Sequence, residues 1–184
     1  MTHESSVAVT SPASTAAPSP VSTALLTDQY ELTMVEAALA SGAAHRRCVF
    51  EVFSRSLPRG RRYGVVGGIG RMLEGLEQFR FGKDELDWLA ARGIVGEETL
   101  DFLAGYRFSG SMWGYPEGEV YLPHSPVLRV EASFAEACLL ETFILSVLNH
   151  DSAIASAASR MTVAAGERPC VEMGSRRTQE MSAV

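Results

Sequence analysis

From Phe134 to Ala165 apolar residues return at helical spacing over a single long run. Gly166 closes it, and the short apolar stretch Pro169-Cys170-Val171-Glu172-Met173 follows. A helix feeding a buried strand whose carboxyl end carries polar residues, here Gly174-Ser175-Arg176-Arg177-Thr178-Gln179, is how α/β barrels present their active sites. One such unit cannot close a barrel. The pattern therefore predicts an α/β chain whose residues 134–184 form the first helix and strand of an incomplete barrel. Glu172, inside that strand, is expected to meet an Arg or Lys partner. The polar interruption Asn149-His150-Asp151-Ser152 either kinks the long helix or divides it, and its first three residues either face the barrel mouth or form a cap beside a satisfied buried histidine.

Residues 1–23 are almost entirely Ser, Thr, Ala, Pro and Val, with too little apolar surface to offset ordering entropy, and are expected to form a disordered tail. Beyond them Asp28 is placed to cap a helix, with Glu31 reaching back in a capping box. Leu32, Val35 and Leu39 then recur at helical spacing as far as Gly42. Val49 to Phe53 reads as a strand entering a turn at Leu57-Pro58-Arg59-Gly60, in a loop made basic by Arg55, Arg59, Arg61 and Arg62. A short strand at 63–66 precedes the glycine-rich helix start Gly67-Gly68-Ile69-Gly70, and two further helices are expected over 83–91 and 97–104. Short strands at 111–115, 119–122 and 126–130, joined by Pro-containing turns, complete the stretch to residue 133.

The formal net charge of −6 over 184 residues provides no basic footprint for a nucleic acid, and no apolar stretch approaches the ~20 residues that span a bilayer. Neither partner is expected. Cys48, Cys138 and Cys170 are odd in number, widely separated and without metal-binding spacing, which fits reduced thiols in a cytoplasmic protein. Gly68 and Gly70 have Leu73 where a dinucleotide fingerprint needs its third glycine, so close helix packing is the expected role, and no P-loop for ATP is present. No metal-ligand constellation stands out.

Three segments carry a resemblance: Leu25-Leu26-Thr27-Asp28-Gln29-Tyr30-Glu31-Leu32-Thr33-Met34, Phe50-Glu51-Val52-Phe53-Ser54-Arg55-Ser56-Leu57-Pro58, and Glu172-Met173-Gly174-Ser175-Arg176-Arg177. In order and rough spacing they resemble the LLTDxYxLTM, FExFxRxLP and E(M/F)GxRR blocks of nicotinate phosphoribosyltransferases. The resemblance covers the chain from about residue 24 and less than half of a usual family member. It implies a type II phosphoribosyltransferase-like fold, with an N-terminal α/β sandwich over residues 24–133, a barrel opening at 134–184, and an active site at the interface of a homodimer. It also implies the family's reaction, in which nicotinate and phosphoribosyl pyrophosphate become nicotinate mononucleotide and pyrophosphate. ATP serves as co-substrate and Mg2+ is held chiefly by pyrophosphate, in the salvage route to NAD. The family's phosphorylated histidine matches none of His3, His45, His124 or His150, so this chain alone is expected to be inactive. The competing readings are a non-catalytic remnant, a ligand-binding or dimerising half, and another type II pyridine phosphoribosyltransferase.

Such a reaction depends on positioning and charge neutralisation more than on covalent chemistry. Arg176 and Arg177 suit both, because a guanidinium meets a carboxylate or phosphate bidentately; the alternative is a solvated pair. Thr178 either donates to a phosphate oxygen or caps a turn. Tyr30 falls where the family places a tyrosine against nicotinate, near a helix N-terminus; otherwise it faces the core beside Leu32 and Met34. Phe53 either lines the same pocket or, as an aromatic in an alternating strand, is core. The basic loop either holds a neighbouring subunit's phosphates or is solvated.

Overall fold

The computed structural model describes residues 21–58, 60–174, 176 and 179. In chain order the elements are α1 (Gln29–Ala40), β1 (Arg47–Val52), β2 (Gly64–Val65), α2 (Ile69–Glu77), α3 (Lys83–Ala91), α4 (Glu97–Ala104), β3 (Ser111–Gly114), β4 (Val120–Tyr121), β5 (Leu128–Ser133), α5 (Phe134–Cys138) and α6 (Glu141–Ala165). Two antiparallel sheets form, one ordered β1-β5-β3 and one pairing β2 with β4.

β5 is central to the larger sheet and shows why it is two-faced. Leu128, Val130 and Ala132 are buried against the helices, and the alternate residues point outward. There Arg129 lies 4.8 Å over the Trp113 ring and 2.9 Å from Glu131, which Arg47 also approaches at 3.5 Å. β5 then turns directly into α5. Ser133 caps that helix, and the Glu136 carboxylate accepts from the Ser133 N–H at 3.2 Å and hydroxyl at 2.6 Å.

One hydrophobic core runs from Ala24 to Leu148, across residue 133: Ala135, Leu139, Leu140, Phe143 and Ile144 share it with Val35, Met72 and Leu103. At its centre the Phe79 ring stands 5.6 Å from Tyr106, 5.8 Å from Phe143 and 6.0 Å from Phe81. Ser22 and Thr23, expected in the tail, donate their hydroxyls to the carbonyls of Arg80 and Gly75 at 2.6 and 2.7 Å.

The helical run from residue 134 breaks at Leu139-Leu140 and not at the polar residues 149–152. Both leucines are fully buried. The Thr142 N–H, which in a continuous helix would bond to Cys138, is instead given to the Glu31 carboxylate at 2.9 Å.

Within residues 149–152, which keep helical geometry, Asp151 and Ser152 have partners across the interior, Asn149 is exposed, and the buried His150 Nε2 has no hydrogen-bond partner among the described residues. Asp151 accepts from Arg71 Nε at 2.9 Å and from its Nη2 at 2.6 Å, and His150 Nδ1 lies 3.0 Å away. The Ser152 hydroxyl accepts from the Gly67 N–H at 3.1 Å, the Ser156 hydroxyl accepts from the Val65 N–H at 2.8 Å, and Arg160 donates to the Tyr63 carbonyl. Residues four apart on a helix are separated by about 6 Å along its axis. Residues two apart on a strand are separated by about 6.6 Å. α6 thus lies along β2 as a substitute strand, bonding every second residue of its open edge. Gly67 lets the helix approach, since a Cβ there would stand 2.9 Å from the Asp151 carbonyl. The glycine-rich turn 67–70 accordingly serves close packing, and its Gly68 and Gly70 N–H groups are taken by the Glu117 carboxylate at 3.1 and 3.0 Å.

After Gly166 the expected strand at 169–173 does not form: the segment is irregular, with Val171 79% and Met173 82% exposed. No described strand runs beside it to supply a ladder, so its backbone turns to solvent. Among the described residues, Glu172 accepts from the Gly174 N–H and meets no cationic partner.

Candidate substrate-binding cleft

The capping motif at the start of α1 is more deeply set than a surface cap. Glu31 is completely buried, and its carboxylate accepts from the Thr27 hydroxyl and the Asp28 N–H (3.1 Å) on one side. On the other it accepts from the Thr142 N–H (2.9 Å) and hydroxyl (2.8 Å). The first turns of α1 and α6 are therefore joined through one buried charge at the positive ends of two helix dipoles. Asp28 also lies 3.1 Å from the Thr142 hydroxyl.

Beside this junction opens a cleft of about 630 Å3. α1 supplies Asp28 and Tyr30 to its lining, the chain leaving β1 supplies Phe53, Ser54 and Arg55, β4 supplies Tyr121, and α6 supplies Thr142, Ser146 and Asn149. Tyr30 is 48% exposed and Phe53 is 43% exposed, so neither ring belongs to the core. Phe53 escapes the strand's alternation because β1 ends at Val52; its ring lies 6.1 Å from that of His124, whose N–H bonds the Ser54 carbonyl at 2.8 Å. Partial burial, together with the carboxylates of Glu141, Glu31 and Asp28, raises the Tyr30 phenol above its ordinary value, against a hydrogen bond with Thr142. The phenol stays protonated and can donate.

Of the residues singled out in the sequence, Tyr30 and Phe53 thus meet in one cleft, joined by Arg55 of the basic loop. Arg61 and Arg62 do not line it, and Arg59 lies outside the described residues. Arg176 is exposed in the irregular C-terminal chain, apart from the cleft lining, and Arg177 and Thr178 lie outside the described residues. Thr142, Ser146 and Tyr121 carried no recognisable signal. Each sits in a stretch whose pattern reports only its element. No cluster of three His, Cys, Asp or Glu side chains able to hold a metal occurs among the described residues, nor is any helix there long and apolar enough to cross a membrane.

The mixed α/β fold has counterparts among solved structures. Human nicotinic acid phosphoribosyltransferase superposes with a TM-score of 0.76 at 28% identity over 84% of this chain and 32% of that one. A nicotinate-nucleotide pyrophosphorylase from Pyrococcus furiosus shares the fold at TM-score 0.58 and 23% identity, so the architecture is that of type II phosphoribosyltransferases. Residues 25–149 match the family model of the nicotinate phosphoribosyltransferase N-terminal domain, a span ending beyond residue 133 as the shared core does. Among curated relatives, nicotinate phosphoribosyltransferase pncB1 of Mycobacterium tuberculosis is 59% identical over 87% of this chain and 35% of its own length. The enzyme of Bacillus subtilis is 35% identical over 88% and 33%. The chain belongs to the nicotinate phosphoribosyltransferase family, and it spans about a third of the length of the relatives it matches.

Proposed function

We propose that this chain forms the nicotinate-facing part of a nicotinate phosphoribosyltransferase acting in NAD salvage, which joins nicotinate to phosphoribosyl pyrophosphate, releases pyrophosphate and couples the reaction to ATP hydrolysis. The observation that carries the reading is the convergence of Tyr30 and Phe53, from separate elements, on one solvent-facing cleft beside two helix N-termini. Rings so placed can stack on a planar pyridine, while the Thr142 and Ser146 hydroxyls and the Asn149 amide offer it directed hydrogen bonds.

In this reading Arg176 and Arg177 take the nicotinate carboxylate and a phosphate, and Thr178 donates to a phosphate oxygen. Arg55 adds positive charge at the cleft. Magnesium arrives with the pyrophosphate as part of the substrate. The transition state resembles an oxocarbenium ion, so the protein contributes alignment of the ring nitrogen with the ribose carbon and neutralisation of the leaving group. The working enzyme is a cytoplasmic homodimer, and the 184-residue chain by itself is inactive.

Two measurements test this. Nicotinate added to the chain should shift the Tyr30 ring resonances, and Tyr30→Ala should abolish the binding. Incubation with nicotinate, phosphoribosyl pyrophosphate, ATP and Mg2+ should give no mononucleotide. A chain indifferent to nicotinate refutes the cleft assignment, and product formed by the chain alone refutes its inactivity.

A further inference from the structure

We infer that Tyr121 is a further substrate-contacting residue, its hydroxyl donating a hydrogen bond to nicotinate, and that Gly64 is the positioning residue that sets its ring at the cleft. This rests on the cleft being the nicotinate site.

β2 and β4 pair antiparallel with Gly64 directly opposite Tyr121. Side chains opposed in this way share one face of the sheet. The Tyr121 ring uses the space that a side chain at residue 64 would take: a Cβ there would run into the ring at Cζ and Cε1 and stand 2.5 Å from the hydroxyl oxygen. Gly64 is buried and its φ lies outside the left-handed region, so its backbone conformation does not call for glycine. Room for the ring does. The atoms that crowd Gly64 are those of the phenol end, so that end has its place fixed against β2, and β2 is bonded in turn to α6 through the Val65 N–H and the Ser156 hydroxyl.

Covering a glycine in a strand needs only an aromatic ring, and phenylalanine would serve. The hydroxyl is what this packing leaves over. It has no hydrogen-bond partner among the described residues, and it is not among their buried unpartnered polar atoms, so it is open to a ligand. Tyr121 lines the cleft whose other wall carries Thr142, Ser146 and Asn149. The described lining sets one cation, Arg55, against the Asp28 carboxylate. A donor already held in place there gives an anionic pyridine a contact without the cost of ordering a free side chain.

Tyr121→Phe keeps the ring over Gly64 and removes the hydroxyl alone, a change to which a purely structural ring is indifferent. Nicotinate is titrated into the 184-residue chain with the tyrosine ring resonances followed by NMR, and thermal melting is recorded in parallel. Tyr121→Phe should melt like the parent and bind nicotinate roughly tenfold more weakly. Gly64→Ala should shift the Tyr121 resonances before any ligand is added and weaken binding by a similar factor in its folded fraction. Since the added methyl collides with the ring, Gly64→Ala should lower Tm less in a Tyr121→Ala background than alone, which tests the packing even if Gly64→Ala by itself does not fold. Parental affinity in Tyr121→Phe overturns the contact. Parental affinity in folded Gly64→Ala, or a Tm loss indifferent to the residue at 121, overturns the positioning. In either case loss of binding in Tyr30→Ala leaves the cleft assignment standing. A parent chain that shows no response to nicotinate removes the cleft assignment and the inference with it.

Discussion

Replacing Ser156 by alanine removes a single hydroxyl from the middle of α6, and the structure says what that hydroxyl does. It accepts the Val65 N–H at 2.8 Å in a position where both residues are buried, while the other edge of β2 is already paired with β4. The N–H left behind has no second acceptor, and the close approach of α6 at Gly67 leaves little room for water. An unsatisfied buried donor costs about 1–3 kcal/mol. Alanine returns roughly 0.5 kcal/mol as the better helix former. The net loss is therefore about 0.5–2.5 kcal/mol, or roughly 1–10 °C in Tm for a domain of this size. Ser159→Ala is the matched control: the same change on the same helix, where the hydroxyl bonds only the Ser156 carbonyl of its own turn at 3.1 Å. Urea denaturation followed by circular dichroism measures both. Equal stabilities for the two variants would refute the argument that α6 completes β2 by side-chain bonds to its backbone.

Three further outcomes are expected. Gly68→Ala should destabilise more than Gly118→Ala, because both positions have φ above +80°, at +93° and +84°, but only at Gly68 does a Cβ meet the Asp151 carboxylate, at 2.7 Å; equal urea midpoints would contradict this. Acid should unfold the chain through Asp151 and Glu136. Burial works to raise each carboxyl, but Arg71 and His150 at Asp151, and Ser133 and Ser109 at Glu136, together hold them below their ordinary values. A depressed folded-state value stabilises above the unfolded one and is lost as pH falls through it, so urea midpoints should drop below about pH 4. Asp151→Asn should flatten that fall, and an unchanged slope would exclude Asp151 as a source. Finally, burial pushes the Cys138 thiol up to about 12 and raises Cys48 as well, whereas Cys170 is exposed. A thiol reagent at pH 8 should modify one residue fast in the native chain, and Cys170→Ser should remove that phase.

What the sequence reveals here is what local pattern can encode. α3 and α4 occupy the residues their apolar spacing predicts, and the Asp28–Glu31 pair marks the start of α1. What it hides is set by distant partners. Glu31 reads as a surface cap because its other partner, Thr142, lies 111 residues further on. Asn149 to Ser152 reads as an interruption for the same reason: the Gly67 N–H and the Arg71 guanidinium that receive Ser152 and Asp151 inside lie 85 and 80 residues away in sequence. Leu139 and Leu140 continue an apolar helix in pattern, and the carboxylate that takes the Thr142 N–H freed at their turn belongs to α1. The segment 169–173 has the composition of a buried strand, yet composition supplies no neighbouring strand to pair with it. Tyr30 stands out as a site candidate through the family resemblance and Phe53 only as a pocket-or-core alternative, whereas their meeting in one cleft depends on where β1 ends.

One stripe along α6 connects these points. Thr142, Ser146, Asn149, Ser152, Ser156 and Arg160 follow one another at intervals of three or four residues, so they share a face of the helix. The first four line the cleft, and the last three, Ser152 belonging to both sets, bond the edge of β2. β2 holds β4, whose Tyr121 lines the cleft opposite α6, so both walls hang from the same ladder. At the other end Glu31 ties the first turn of α6 to the turn that carries Tyr30. The cleft is thus a gap between elements pinned at both ends, and a ring entering it meets aromatic surfaces that need little rearrangement. Its described lining sets one carboxylate, Asp28, against one guanidinium, Arg55. Under the proposed reaction, stacking and hydrogen bonds would therefore orient the pyridine there, and the stronger positive field that a pyrophosphate requires would fall to Arg176 and Arg177.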